Sequence, residues 1–234
     1  MRTYGVPKQN EGMKRTLLFA LTLIAVGCAD PIPRNLDDLS RQGIQYQDPE
    51  TLEPYSGPAY RVSEDDPTQI VLRVNLRDGR FHGNFKDFDP ERVEEDLGIY
   101  QTGTYRDGLR EGRSEYFYPS GVLRGRGTYK NSEVNGTYES YYENGELRSK
   151  SAYVVGELDG PFDFYYENGQ LQLRGSYTAG ERHGPTDFYY EDGQLRFKGI
   201  FDMGEECGTW IEDEGTRISP PPYELCPPGL EDGN

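Results

Sequence analysis

The feature that most constrains this chain is a period of 24 residues. Gly103-Thr104-Tyr105, Gly127-Thr128-Tyr129, Ser151-Ala152-Tyr153, Gly175-Ser176-Tyr177 and Gly199-Ile200-Phe201 begin at intervals of 24. Nine residues after each start stands a glycine: Gly112, Gly136, Gly160, Gly184 and Gly208. Eighteen residues after the first four starts stand Gly121, Gly145, Gly169 and Gly193, and two further on Leu123, Leu147, Leu171 and Leu195. The fifth unit keeps Trp210 and then breaks off. A period this short means supersecondary units that bury their apolar side only by stacking on neighbours. Upstream, Asp78-Gly79-Arg80-Phe81-His82-Gly83 repeats the loop Ala179-Gly180-Glu181-Arg182-His183-Gly184, and Tyr55-Ser56-Gly57 is a weaker copy. Residues 46–102 therefore read as degenerate repeats with an acidic insertion from Asp87 to Asp96, and 103–217 as the regular array.

Each unit reads as a β-hairpin. Asn144-Gly145, Asn168-Gly169 and Asp192-Gly193 are two-residue turn signals, and Ser120-Gly121 is a weaker one, because such turns need positive φ at both positions. Flanking runs such as Phe162-Asp163-Phe164-Tyr165-Tyr166 have strand composition. A two-residue turn at Asn144-Gly145 sets a register: Tyr142 faces Leu147, Tyr141 faces Arg148, and Glu139 faces Lys150. The last pairing recurs as Glu115–Arg126, Asp163–Arg174 and Asp187–Lys198, opposite charges across every hairpin. The same register puts Phe117 beside Arg124, Tyr141 beside Arg148 and Tyr189 beside Arg196 on the charged face. The other face is aromatic, with Tyr138, Tyr142, Phe162, Phe164, Tyr166, Phe188 and Tyr190 and the leucine column. The small residue at the unit start leaves room for these rings. The fold expected is all-β, an elongated antiparallel β-meander with one hairpin per repeat.

Composition narrows the function. Hydrophobic residues are 34% of the 234, too few for a thick two-layer core, while 19 Tyr supply contact surface. Ahead of Cys28 stand Arg2, Lys8, Lys14 and Arg15 against Glu11, which leaves 21 basic and 40 acidic residues after it, a net −19. A body so charged repels phosphate backbones and anionic lipid headgroups, which argues against a nucleic-acid partner.

Met13-Lys14-Arg15 followed by the apolar run Thr16 to Val26 has the form of a secretory signal, too short to span a membrane. Ile24-Ala25-Val26-Gly27-Cys28 resembles the lipobox of bacterial lipoproteins, which implies cleavage after Gly27 and lipidation of Cys28. Residues 1–12 then read as an over-extended start, 13–27 as the signal peptide and 28–45 as a flexible tether. Ala29 after the cysteine resembles outer-membrane sorting, on the periplasmic side in a Gram-negative cell. Membrane contact is then through the lipid anchor only.

The pattern of tyrosine, glycine-bounded loop, double aromatic and Asn-Gly-x-Leu, as in Tyr165-Tyr166-Glu167-Asn168-Gly169-Gln170-Leu171, resembles the MORN repeat. It is closest to the bacterial variant found in the YwqK-like antitoxin family. The resemblance implies an elongated β-meander with strong twist, and its antitoxin label implies a toxin as partner.

No nucleophile elbow, phosphate loop or His-Glu zinc motif occurs, so no enzymatic activity, cofactor, catalytic residue or metal ligand is expected. His82 and His183 occupy equivalent loop positions and read as structural. Cys207 and Cys226 remain once Cys28 is lipidated, and export favours their disulfide, which would tie the Pro-rich tail 218–234 to the last unit. The candidate partner-binding strip is Phe117, Tyr141, Tyr165 and Tyr189 with Arg124, Arg148 and Arg196, because tyrosine and arginine dominate interface energetics. The function expected is a non-enzymatic, lipid-anchored envelope module that scaffolds or binds a protein or a cell-envelope glycan. An antitoxin or immunity protein is the alternative.

Overall fold

The structure, a computed structural model, describes residues 31–89, 98–212, 216–218 and 225–230. The expected signal peptide, the lipidation site Cys28, most of the acidic insertion and the Pro-rich run lie outside these residues.

Twenty strands and one short 3-10 turn, Leu36–Asp38, make up the described chain. Ahead of the repeats come β1 (Arg34–Asn35), β2 (Ser40–Gln42) and β3 (Gln45–Gln47). The degenerate part contributes β4 (Gly57–Val62), β5 (Ile70–Arg77), β6 (Arg80–Phe81), β7 (Gly83–Phe88) and β8 (Ile99–Arg106). The regular array follows with β9 (Leu109–Arg110), β10 (Gly112–Phe117), β11 (Leu123–Lys130), β12 (Glu133–Tyr141), β13 (Leu147–Val154), β14 (Glu157–Tyr165) and β15 (Leu171–Thr178). It ends in β16 (Glu181–Arg182), β17 (Gly184–Tyr189), β18 (Leu195–Asp202), β19 (Glu205–Glu212) and β20 (Thr216–Ile218). From β4 onward each strand pairs antiparallel with its chain neighbour, β6, β9 and β16 being short offsets. The result is the expected meander, with one addition: β1 pairs parallel to β4 at the sheet edge.

The charge pairs stand where expected. Glu115 faces Arg126, Glu139 faces Lys150, Asp163 faces Arg174 and Asp187 faces Lys198. The pairing also continues between hairpins, Arg126 facing Glu139, Lys150 facing Asp163 and Arg174 facing Asp187. One row across eight strands therefore alternates in sign throughout.

Nearer the Asn-Gly turns the expected register is wrong. Gly145 alone has positive φ (91°), and Asn144 does not share it. The Gly145 N–H donates to the Tyr142 carbonyl (3.0 Å) and the Tyr142 N–H to the Glu146 carbonyl (2.8 Å). This is a three-residue loop closed by a glycine bulge. A second bulge between Ser140 and Tyr141 restores the register further in, so Tyr141 faces Leu147, not Arg148. The other hairpins do the same: Phe117 faces Leu123, Tyr165 faces Leu171 and Tyr189 faces Leu195. In two of these hairpins the asparagine side chain adds bonds that hold the loop. Asn144 Oδ1 accepts from the Glu146 N–H (2.9 Å), and its Nδ2 donates to the Glu167 carbonyl of the next hairpin (3.0 Å). Asn168 repeats both bonds.

The two-residue turns lie at the opposite end of the hairpins. Asp107-Gly108, Asn131-Ser132, Val155-Gly156, Ala179-Gly180 and Met203-Gly204 have positive φ at both positions. The residues flanking them pair directly, as Val154 does with Glu157 and Asp202 with Glu205. Each such turn is stitched to the unit before it: the Gly156 N–H donates to Val134, Gly180 to Leu158 and Gly204 to Arg182, all at 2.8 Å.

The aromatic face closes in two ways. At the N-terminal end Leu36, Leu39 and Tyr46 pack on Ala59, Val74, Leu76 and Phe85 in one buried cluster. Residues from Arg34 to Gln47 are thus part of the fold, and the expected tether does not extend to 45. An Arg34–Asp48 ion pair holds this cap to itself. Along the regular repeats the sheet covers itself. Phe162, 1% exposed, lies against Phe164 and Tyr177. Phe188, Phe197, Phe201 and Trp210 close the far end. The small residues of the unit start lie beneath these rings, and a Cβ at Gly127 would stand 2.6 Å from Tyr138. At Gly199 it would fall inside the Trp210 ring.

Two outcomes follow. Gly199→Ala forces the Trp210 indole out of its seat and lowers stability by about 1–3 kcal/mol in urea unfolding. Val155 is a β-branched residue at φ 48°, so Val155→Asn raises the same unfolding midpoint, by roughly 1 kcal/mol of relieved strain. An unchanged or lower midpoint for Val155→Asn would mean that the turn is not held in that conformation.

Candidate functional site

The seven residues expected to form one strip separate onto two faces. Tyr141, Tyr165 and Tyr189 lie on the charged face, each two residues beyond an acid on its own strand. Their hydroxyls donate to Glu139 (2.9 Å), Asp163 (3.3 Å) and Asp187 (3.5 Å). Arg126 sits over the Tyr141 ring at 5.5 Å. Burial raises the pKa of all three phenols, and the adjacent carboxylates raise it further, so they stay protonated donors. Phe117 holds the corresponding position, opposite Leu123.

Arg124, Arg148 and Arg196 are elsewhere. They stack on the second aromatic of each pair, over Tyr118 (5.9 Å), Tyr142 (5.8 Å) and Tyr190 (5.6 Å). The bulge beside the turn is the cause, because one extra residue in a strand re-aims the side chains there. The charged face thus has tyrosines embedded in an ion-pair ladder, and the aromatic face has arginines laid on rings.

The ladder is a bonded structure. Arg126 Nε lies 2.6 Å from Glu139, Arg174 Nε 2.6 Å from Asp163, and Lys150 3.8 Å from Glu139. Burial pushes the Glu139 carboxyl up, but the hydrogen bonds from Arg126 and Tyr141 outweigh it and hold the group below its ordinary value. Hydroxyls of the second aromatics cross to the next hairpin: Tyr118 Oη donates to the Tyr141 carbonyl (2.8 Å), Tyr142 to Tyr165 (2.7 Å) and Tyr166 to Tyr189 (2.9 Å).

On the aromatic face Phe164, Tyr166, Tyr177 and Phe188, with Gln172 and Arg196, border an open cleft of about 350 Å³. Sequence reasoning missed this cleft because it depends on Arg196 being turned by the bulge. It also missed a polar knot between β8 and β11. There Arg110 donates to Tyr116 Oη (2.9 Å) and Gln101 Oε1 (3.3 Å), lies over the rings of Phe85 and Tyr129, and joins a Tyr116–Tyr129 hydroxyl pair (2.6 Å). Its signal was an arginine inside an aromatic unit.

His82 and His183 each lie beside an aspartate of the next turn, Asp107 (3.4 Å) and Asp202 (3.3 Å), in separate units. Among the described residues no group of three or more His, Cys, Asp or Glu could hold a metal ion. Asp87, from the acidic insertion, is half-buried and its carboxyl is pushed up by burial. Cys207 and Cys226 form a disulfide with Cα atoms 5.0 Å apart, which pins the segment 225–230 to β19.

The profile of the MORN repeat variant matches residues 110–131, 134–154, 158–179 and 182–203, in step with the observed hairpins. Residues 110–203 are four consecutive MORN-type repeats. Each matched MORN unit opens near a two-residue turn and spans one pass of the meander. No curated protein sequence matches the chain. A solved structure, that of a protein of unknown function from Bacteroides fragilis, is 12% identical and aligns over 72% of this chain and 96% of its own, with a TM-score of 0.12. At that score the likeness carries no argument about this fold or its use.

The depressed Glu139 group fixes a pH dependence. A carboxylate held below its unfolded value stabilises the fold above that unfolded value, and the contribution is lost as pH falls through the folded one. Stability therefore drops as pH falls from about 4.5, the ordinary value, and Glu139→Gln flattens this drop. An unchanged acid profile in Glu139→Gln would place the loss in other carboxylates.

Proposed function

We propose that this chain is a lipid-anchored envelope protein whose MORN-repeat sheet binds a protein partner through its aromatic face. The lipobox-like Ile24-Ala25-Val26-Gly27-Cys28 supports the anchor, and Ala29 supports sorting to the periplasmic side of the outer membrane in a Gram-negative cell. The observation that carries the binding role is the cleft bordered by Phe164, Tyr166, Tyr177 and Phe188. Among the described residues, the N-terminal segment caps only the first hairpins. The rings further along are left half-buried and laid with arginines. Aromatic and arginine side chains in a partly desolvated cleft are the usual anchors of an interface, because they bring large rigid contact area with little entropy loss. The Arg126–Glu139 and Arg174–Asp163 ion pairs satisfy the charges of the opposite face internally, which makes that face the weaker candidate.

Site-specific photo-crosslinking tests the assignment in cells that express the full chain. A photoreactive residue at Gln172, exposed beside the cleft, is expected to trap one protein in the envelope fraction. The same residue at Arg174, on the charged face, is expected to trap none. Trapping from position 174 alone would move the interface to the charged face, and none from either would end the binding reading. Fatty-acid labelling that survives Cys28→Ala would remove the anchor from the proposal.

A further inference from the structure

The last unit departs from the others at two repeated positions. Over Gly136, Gly160 and Gly184 a Cβ would first meet the neighbouring strand, at Thr128 (3.9 Å), Ala152 (3.0 Å) and Ser176 (3.2 Å). Over Gly208 it would meet Cys226 Sγ at 2.9 Å instead. The disulfide to Cys207 has brought the segment 225–230 down onto this glycine. The residue after Thr128, Ala152 and Ser176 in the same column is Ile200, again 24 further on. Thr128 is exposed and Ala152 and Ser176 are half-buried, as small or polar residues can be. Ile200 is large and apolar, yet only 6% exposed, and its cross-strand partner is Cys207. An isoleucine is stable in that row because the bridge beside it keeps water away.

The two sulfurs are not equally reachable. Cys207 is 5% exposed within β19, while Cys226 is half-buried between the exposed Leu225 and Pro227. The segment's own backbone bond, from the Leu230 N–H to the Pro227 carbonyl (3.2 Å), is internal. Among the described residues, the disulfide is the bond that fastens it to β19. That strand also carries Trp210, which closes the ring cluster with Phe188, Phe197 and Phe201. We propose that Cys226 is a thiol-exchange site for a dithiol and that exchange there unlatches the last hairpin. A thiolate of the dithiol attacks Cys226 Sγ. The sulfur–sulfur bond breaks, and Cys207 leaves as a thiolate that takes up a proton. The second thiol of the reductant then attacks its own sulfur in the mixed disulfide and releases Cys226 as a thiol. Two electrons pass from the dithiol to the protein, and the dithiol ends as a disulfide. Residues 225–230 come away, Ile200 meets water, and β19 loosens beneath Trp210. This exchange does not depend on the partner-binding reading.

The test uses the purified full chain under native conditions, with dithiothreitol and glutathione as probes. Trp210 is the one tryptophan of the chain and is 5% exposed, so its fluorescence reads the last hairpin. Dithiothreitol is expected to free Cys207 and Cys226 without denaturant and to shift Trp210 emission to longer wavelength. Quenching of that emission by acrylamide rises several-fold, while the far-ultraviolet β signal stays. Cys226→Ser is expected to show the shifted emission from the start and no response to dithiothreitol. With the monothiol glutathione, peptide mapping is expected to place the mixed disulfide on Cys226 and to find Cys207 free for alkylation. The proposal is overturned if the bridge resists dithiothreitol until the sheet unfolds, if Trp210 emission is the same in the reduced protein, or if the adduct sits on Cys207. Collapse of the β signal on reduction overturns it as well, because the bridge would then hold the whole sheet and not the last hairpin.

Discussion

Everything in this fold depends on rings seated over small residues. A one-layer sheet has no second layer against which to bury its apolar side. The hairpins solve this by laying Phe162 or Trp210 across Gly175 or Gly199 of the adjoining strand. At Gly127, Gly175 and Gly199 even an alanine Cβ would collide with the ring, while Ser151, opposite Tyr138 and Phe162, shows that the seat in that unit accommodates a small side chain. With 34% hydrophobic residues, this contact replaces a conventional core, and it can do so only if every hairpin has a neighbour.

Around that contact, two sets of bonds fix how hairpins stack. At one end the N–H groups of the two-residue turns reach back to the preceding unit, as Gly180 does to Leu158. At the other, Tyr142 and Asn144 reach forward to Tyr165 and Glu167. Between them the alternating ladder holds the charged face in register. An isolated exposed ion pair contributes little, but here Glu139, Asp163 and Asp187 each have a base on both sides, and Glu139 is bonded by Arg126 and Tyr141 together. The geometry satisfies the charged face from within and leaves arginines and half-buried rings on the other face.

The period, the hairpin count and the Glu139–Lys150 register were legible in the sequence. A constant spacing and opposite charges leave few alternatives. The turns were not legible. Asn-Gly supports a two-residue turn and a three-residue loop with a glycine bulge alike, and the stacked array adopts the second even where serine or aspartate replaces the asparagine. Of the true two-residue turns, Asp107-Gly108 has an ordinary turn signal, but Val155, Ala179 and Met203 at the first position of three others give none. That single ambiguity moved Arg124, Arg148 and Arg196 to the other face and hid the aromatic cleft. The cap from Arg34 to Gln47 was invisible for a different reason: Leu36, Leu39 and Tyr46 are sparse in a polar stretch, and only the sheet they cover gives them a role.

The most direct test is residue-resolved hydrogen exchange on the full chain with Gly175→Ala. This substitution removes one ring seat in the middle of the array. If hairpins are held by ring-on-glycine contacts to their neighbours, protection falls in β13 to β17 and stays unchanged in β4 to β8. A loss of protection spread evenly over the whole sheet, or no loss at all, would contradict that account.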